Sequence, residues 1–428
     1  MIVPNGWKEG RVRDLIKSLD SGVSVNSEND GNTLADYKIL KTSCVSKGFF
    51  DFSKTKSVIM NNEISRLKEP VLADTIIISR MNTPTLVGAN GYIESQIENI
   101  FLPDRLWQAK PKNKLISMRW LGFWFSSSHA RYSLSATATG TSGSMKNITK
   151  PDVFNIKINI PPLPEQQKIA KILSTWDKAI STTEALIDNS KQQKKALMQQ
   201  LLTGKKRLLD ETGKVFEGGW EETKLSDSVS LLRSGLSRKL ESENVGIAVI
   251  RSNNIGEKFT LNSNLKYWYK NDPQGANIVN YILDDGDILV NFINSMAQIG
   301  KSCIYKKIDK LDCIYTTNLL RLKVNTVIAD SEYLFYLTKT VRYLSHIKSI
   351  TKPAVNQASF TTKEFGSLKL TLPPLEEQKI IASVLASADK EIELLEQQLT
   401  DLKQEKKALM QQLLTGKRRV KINEKAVA

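Results

Sequence analysis

One stretch of this chain occurs twice. Residues 161–205 and 373–417 align without a gap at a constant offset of 212, with 26 of 45 positions identical. Each copy opens on Pro-Pro-Leu (Pro161, Pro162, Leu163; Pro373, Pro374, Leu375). Each closes on the same twelve residues, KKALMQQLLTGK, from Lys194 to Lys205 and from Lys406 to Lys417. The flanks repeat more faintly: Gly6-Trp7 matches Gly219-Trp220, and the segment from Val153 to Ile158 matches that from Phe365 to Leu370. A period of 212 residues is far beyond that of a solenoid, whose units run about 20–45 residues. The chain is therefore two copies of one unit. Each unit joins a globular region of about 150 residues to a helical one, and 428 residues call for more than one core.

The repeated stretch reads as a long helix. Alternating steps of four and three pick out Ile169, Leu173, Trp176, Ile180, Thr183, Ile187, Ser190, Lys194, Leu197 and Leu201. The second copy gives Ile381, Leu385, Ala388, Ile392, Leu395, Leu399, Leu402, Lys406, Leu409 and Leu413. This 3.5-residue period is the seam of a coiled coil. Prolines stand at each start, where a missing N–H costs little. Thr203-Gly204 and Thr415-Gly416 provide the stop, since glycine takes the left-handed cap. Each helix spans about 38 residues, or about 57 Å. Such a stripe alone is also the mark of a core or a generic dimer interface, but two matching stripes in one chain favour pairing within the chain.

The globular regions read differently. Thr75–Ser79, Asp287–Val290 and Leu319–Val324 are short, β-branched and bounded by turn residues, whereas the apolar spacing over Glu332–His346 predicts a helix. Each region is expected to be a small α+β domain. The helical parts kept over half their residues and the globular parts kept little beyond framework. One scaffold with two unlike surfaces is what a binder of two unlike targets needs.

The charge balance narrows the partner. Lys+Arg number 61 and Asp+Glu 45, a formal net charge of +16. A surplus of that size attracts polyanions, nucleic acid first and an anionic membrane surface or acidic protein second. No signal core precedes Lys8, and no run approaches the length of a membrane span. Cys44, Cys303 and Cys313 lack C-x-x-C spacing, which argues against a disulfide framework or zinc site and fits the cytoplasm. With His129 and His346 the only histidines, metal sites and histidine-based catalysis are disfavoured.

The repeated run PPLPEQQKIA, leading into a helix that ends LMQQLLTGK, resembles the repeated conserved region of type I restriction–modification specificity subunits. So do the Gly-Trp openings and Gly286-Asp-Ile-Leu-Val290; in the first half, Ala73-Asp74-Thr75 stands where Gly-Asp-Ile is usual. The resemblance covers essentially the whole chain. It implies two target-recognition domains (1–160 and 220–372), two conserved helices (161–205 and 373–417) paired as an antiparallel coiled coil, a linker (206–219) and a tail (418–428). The coil would act as a ruler for a bipartite DNA target. Half-sites read from one face lie about 34–36 Å apart, a spacing that helices of this length can span. The implied partners are double-stranded DNA, two modification (methyltransferase) subunits docked on the helices, and restriction subunits. S-adenosylmethionine and ATP with Mg belong to those partners, and no cofactor to this chain.

Catalytic motifs are not evident. An adenine methyltransferase needs Asn/Asp-Pro-Pro-aromatic, which Asn82-Thr-Pro84 and Ile160-Pro-Pro162 do not supply. Gly140–Lys146 misses the P-loop spacing; the segment from Ala136 to Lys150 reads instead as a polar loop. Asn147-Ile-Thr149 is a sequon without meaning in a cytoplasmic protein.

DNA contacts require polar groups that can meet phosphates or base edges. In the first half these are expected among Lys41, Ser43, Lys47, Arg80, Asn82, Arg131 and Lys146. In the second they are expected among Arg251, Asn253, Asn254, Asn291, Asn294, Gln298, Lys301 and Asn356. Any one of them could instead be a solvated turn residue. Trp107, Trp120 and Trp124 are core or stacking platforms, with core favoured. The Lys-rich ends, 191–207 and 403–419, complement helix dipoles, touch phosphates or meet a partner. A purely structural coiled-coil adaptor is the rival to DNA recognition, and salt-dependent binding separates the two.

Overall fold

A computed structural model of the chain describes residues 3–29, 35–46, 48–140, 145–210, 212–255, 265–307, 311–355 and 357–422. Lys47 and Asn356 lie outside the described residues. The chain forms two compact units, residues 1–184 with 397–428 and residues 185–396. Both divisions fall inside the long helices, Leu163–Leu201 and Leu375–Leu413. Each unit thus owns one globular region and part of each helix.

In the first unit a four-stranded antiparallel sheet runs in the order Asn90–Ile93, Thr75–Ser79, Leu106–Pro111, Ile16–Ser21. The central strand is apolar without alternation because both of its faces are covered. Ile76 and Ile78 join the core under the helices Met118–Ser126 and Ser128–Thr137. Ile77 faces a second core with Leu40, Val71 and Leu102. Trp107, Trp120 and Trp124 are all core residues of the first cluster, at 3%, 0% and 4% exposure.

The second unit repeats this design. Its sheet runs Val229–Ser234, Leu319–Val324, Ile288–Asn291, Ser302–Ile304, again antiparallel. Ile288 and Val290 face the helices, and Leu289 faces the opposite core. The single helix expected over 332–346 is two, Ser331–Leu337 and Val341–Ile350. Threonines make the break. The Thr338 and Thr340 hydroxyls donate back to the carbonyls of Phe335 and Leu337, competing with the helical ladder, and Thr340 then caps the next helix by accepting from the Tyr343 N–H. The expected loop over 136–150 also needs correction: it includes the end of the helix Ser128–Thr137 and the short strand Lys146–Asn147, paired with Met81–Asn82.

A two-stranded ribbon leads into each long helix: Lys8–Arg11 with Lys157–Ile160, and Glu221–Lys224 with Lys369–Leu372. The faint flanking repeats border these ribbons and run into them. The helices run 39 residues each, and Gly204 and Gly416 stop them in left-handed conformation at φ 69° and 71°. The seam positions are inward. Ile169, Leu173, Ile180, Ile187, Leu201, Ile381, Leu385, Ile392 and Leu413 are buried, and Trp176, Leu197, Leu395, Leu399 and Leu409 are half-buried.

Ion pairs between the helical segments set their direction. The first unit pairs Glu165 with Arg419 (2.7 Å), Asp177 with Lys406, and Glu184 with Lys403 (2.7 Å). The second pairs Lys191 with Glu396 (2.8 Å), Lys194 with Asp389 (2.6 Å), and Arg207 with Glu377 (2.6 Å). In each unit one index rises as the other falls, so the segments are antiparallel. Every pair has its counterpart at an offset of 212. The Lys-rich ends therefore have a use beyond the three considered: half of their repeated cations bridge to the facing helix. Lys195, Lys205 and Lys206, with Lys407, Lys417 and Arg418, have no such partner among the described residues.

Candidate nucleic-acid interface

The polar residues expected at DNA gather at two places in each unit. The first is a short turn after an inner strand of a second sheet. In unit 1 the strand Tyr37–Leu40 leads into the turn Thr42–Cys44; in unit 2 Gly246–Ile250 leads into Ser252–Asn254. Ser43 and Asn253 are exposed, and Lys41 and Arg251 are half-exposed at the equivalent position before each turn. Asn254 is different: it is 1% exposed and its Oδ1 accepts the Arg251 N–H at 3.0 Å. It caps the turn and is not available to DNA.

The second place is a loop following the central strand. It spans Asn82–Gly88 in unit 1 and Asn294–Gly300 in unit 2. In both, the asparagine Oδ1 accepts the next residue's N–H at 2.8 Å, so Asn82 and Asn294 shape the turn. Arg131 donates to the carbonyls of Val87 (2.8 Å) and Thr85 (3.0 Å), and burial lowers its pKa. It holds the loop from behind. Arg80, half-exposed, starts the loop, and Lys146 pairs beside Asn82. In unit 2, Lys301 is exposed and Gln298 half-exposed, whereas Asn291 is fully buried with no side-chain partner among the described residues. Asn291 is thus a core residue, not a contact. The exposed loop tips, Thr83-Pro84-Thr85 and Ser295-Met296-Ala297, were not among the expected contacts.

Both units also have a crevice between the globular region and the helical segments. The first is about 1300 Å³ and extends from Phe49, Thr85 and Trp124 to Lys403, Lys407 and Lys417. The second, about 370 Å³, is lined by Leu202, Thr203, Thr340, Tyr343 and Lys369. Leu414, Thr415, Ser127 and Lys157 occupy in the first the places of Leu202, Thr203, Thr340 and Lys369.

The departure at Ala73-Asp74-Thr75 resolves in register. Gly286 adopts φ 87°, and Asp74, not Ala73, takes the equivalent left-handed position at φ 52°. Thr75 then stands in the place of Asp287. No helix among the described residues is long and apolar enough to cross a membrane.

Comparison with known proteins agrees over the whole length. The family described as "Type I restriction modification DNA specificity domain" matches residues 4–191 and again 217–404. The type I restriction enzyme MjaVIII specificity subunit of Methanocaldococcus jannaschii is 27% identical over 98% of this chain and 94% of its own length. The MjaX specificity subunit of that organism is 35% identical, but the match spans 46% of this chain and 45% of that protein. The EcoKI specificity subunit of Escherichia coli K12 is 24% identical over 88% of the chain and 80% of its length. Among solved structures, the type I restriction–modification S subunit of M. genitalium shares the fold at a TM-score of 0.56, with 14% identity over 99% of this chain and 100% of that one. Two matched copies of the domain, covering both units, place the chain in the family of type I restriction–modification DNA specificity subunits, whose role is DNA recognition rather than catalysis.

Proposed function

We propose that this chain recognises a bipartite DNA target, one half-site per unit, and directs N6-adenine methylation or restriction by partner subunits in the cytoplasm. The observation that carries the reading is duplication with unlike surfaces: sheets, ribbons and helix ion pairs recur at equivalent positions, while the side chains exposed on the loops differ. The antiparallel helical segments serve as the ruler that sets an unread spacer. Two modification subunits dock on the helices, one at each crevice, where cationic side chains (Lys407 and Lys417 in the first, Arg342 and Lys369 in the second) and apolar helix residues suit an acidic, amphipathic surface. Those subunits bring S-adenosylmethionine, and restriction subunits bring ATP and Mg; this chain contributes neither cofactor nor catalytic group.

The test is a methylation map of genomic DNA from cells carrying the modification subunit with and without this chain. A two-part motif with an unread centre, present only with the chain, is the expected result. Methylation that does not depend on the chain would reject the reading.

A further inference from the structure

The loops Asn82–Gly88 and Asn294–Gly300 share a backbone frame in detail. Leu86 and Val87 donate to the Thr83 carbonyl at 3.0 and 2.9 Å, and Gln298 and Ile299 donate to the Ser295 carbonyl at 2.9 and 2.9 Å. The closing glycine N–H donates to Ser79 O in one unit and to Asn291 O in the other, at 2.7 Å in both. Gly88 and Gly300 are left-handed, at φ 71° and 77°. A Cβ at Gly88 would sit 2.8 Å from Leu134, and one at Gly300 2.5 Å from Ile347, so each loop is pinned against a helix where only glycine fits. The strand alongside is likewise shared: Lys146 faces Asn82, and Ala358 faces Asn294. Arg131 grips the first loop from behind, and in the second the Tyr343 hydroxyl, from the matching helix, donates to Gly300 O at 2.9 Å.

On this common frame the tips differ: Thr83-Pro84-Thr85-Leu86 against Ser295-Met296-Ala297-Gln298. The first three residues of each are exposed, Met296 at 60%. An exposed tip under no constraint has no need of so many fixed hydrogen bonds, whereas a tip that must present side chains in one geometry does.

Resting on the DNA-recognition reading, we propose that residues 83–86 and 295–298 are the specificity cassettes of the two units, the side chains that choose the bases of each half-site. Gln298 has the two-pronged amide that pairs with adenine N6 and N7, Met296 and the threonine methyls suit the thymine methyl, and the Thr83 and Thr85 hydroxyls can meet either donor or acceptor edges. Asn82, Asn294, Arg131 and Tyr343 are positioning residues that hold the cassettes.

The experiment exchanges one cassette in the full chain (Thr83→Ser, Pro84→Met, Thr85→Ala, Leu86→Gln) together with the modification subunits, and reads the methylated motif. The unaltered chain must first give a chain-dependent two-part motif; if it does not, the DNA-recognition reading fails before the cassettes are tested. Given that motif, the exchange is expected to change or relax one half-site and leave the other half and the spacer as they were. An unchanged motif, or degeneracy in both halves, overturns the proposal. If the exchange abolishes methylation, the single variants Thr85→Ala and Gln298→Ala decide. Each should lose about tenfold or more discrimination at one base pair of its own half-site, and undiminished discrimination in both overturns the proposal.

Discussion

Leu289 and Ile77 lie at the same point of the central strand in their two units, yet each has a different neighbour across the sheet. In the second unit the neighbour is Arg321, 3% exposed, which pairs with Asp287 at 2.6 Å and donates to Ile282 O at 2.7 Å. Burial pushes the Asp287 carboxyl up, against the pull of the arginine. In the first unit the neighbour is Gln108, and Thr75 replaces the aspartate. The Thr75 hydroxyl donates to Leu72 O at 2.6 Å, and Gln108 Oε1 accepts the Leu72 N–H at 2.9 Å. A buried ion pair in one unit, and in the other an amide and hydroxyl network tied through Gln108 Nε2 to the Glu69 carboxylate, thus support the same strand order. At this point of the sheet the fold accepts either an arginine or a glutamine beside the central strand.

The comparison is broken most forcefully at Arg321. Arg321→Gln strands a buried carboxylate and should destabilise the second unit by about 3–5 kcal/mol in denaturant unfolding. The pair Asp287→Thr with Arg321→Gln imports the first unit's solution and should recover much of that loss. A single variant as stable as the parent would show that the ion pair is not what the strand requires.

A smaller contrast lies at the helix ends. Glu165 accepts from Arg419 and also from Trp7 Nε1 at 2.9 Å. Its counterpart Glu377 accepts from Arg207, but Trp220 Nε1 has no hydrogen-bond partner among the described residues. Arg207→Ala should therefore lower the thermal midpoint more than Arg419→Ala, and equal shifts would mean that the tryptophan donor adds nothing.

The smallest effect is a pH dependence. Hydrogen bonds from Thr361, then Lys352, hold the Glu364 carboxyl down to about 2. A depressed carboxylate contributes stability that is fully present above its unfolded pKa of about 4.3 and is lost as pH falls toward 2. Glu364→Gln should flatten the stability profile of the second unit in that acid window, lowering stability at neutral pH and leaving it nearly unchanged at the acid end. A profile as steep as the parent's would assign the acid sensitivity elsewhere.

The helices were legible because a periodic apolar stripe and a glycine stop are local signals, and the central strands because their apolar runs have no polar face. The candidate site was read less well. Asn82, Asn254, Asn291 and Asn294 attracted notice as polar residues after apolar strands, but that is also where asparagine side chains shape turns or fill cores. Arg131 was singled out for its charge, and the charge goes to two carbonyls. The use of Lys194 and Lys406 depended on acids about two hundred positions away, beyond any local pattern. The shift of one position at Asp74 depended on which residue took a left-handed backbone.

The ion pairs have a hereditary consequence. Lys194 of one copy answers to Asp389 of the other, and Lys406 answers to Asp177. Neither copy can be altered at these places and judged on its own, since every mutation is tried against a residue encoded in its sister. Drift that would separate two free duplicates is checked here twice, once in each unit. The loop tips have no such cross-examination, and they are where the two copies have gone their own ways.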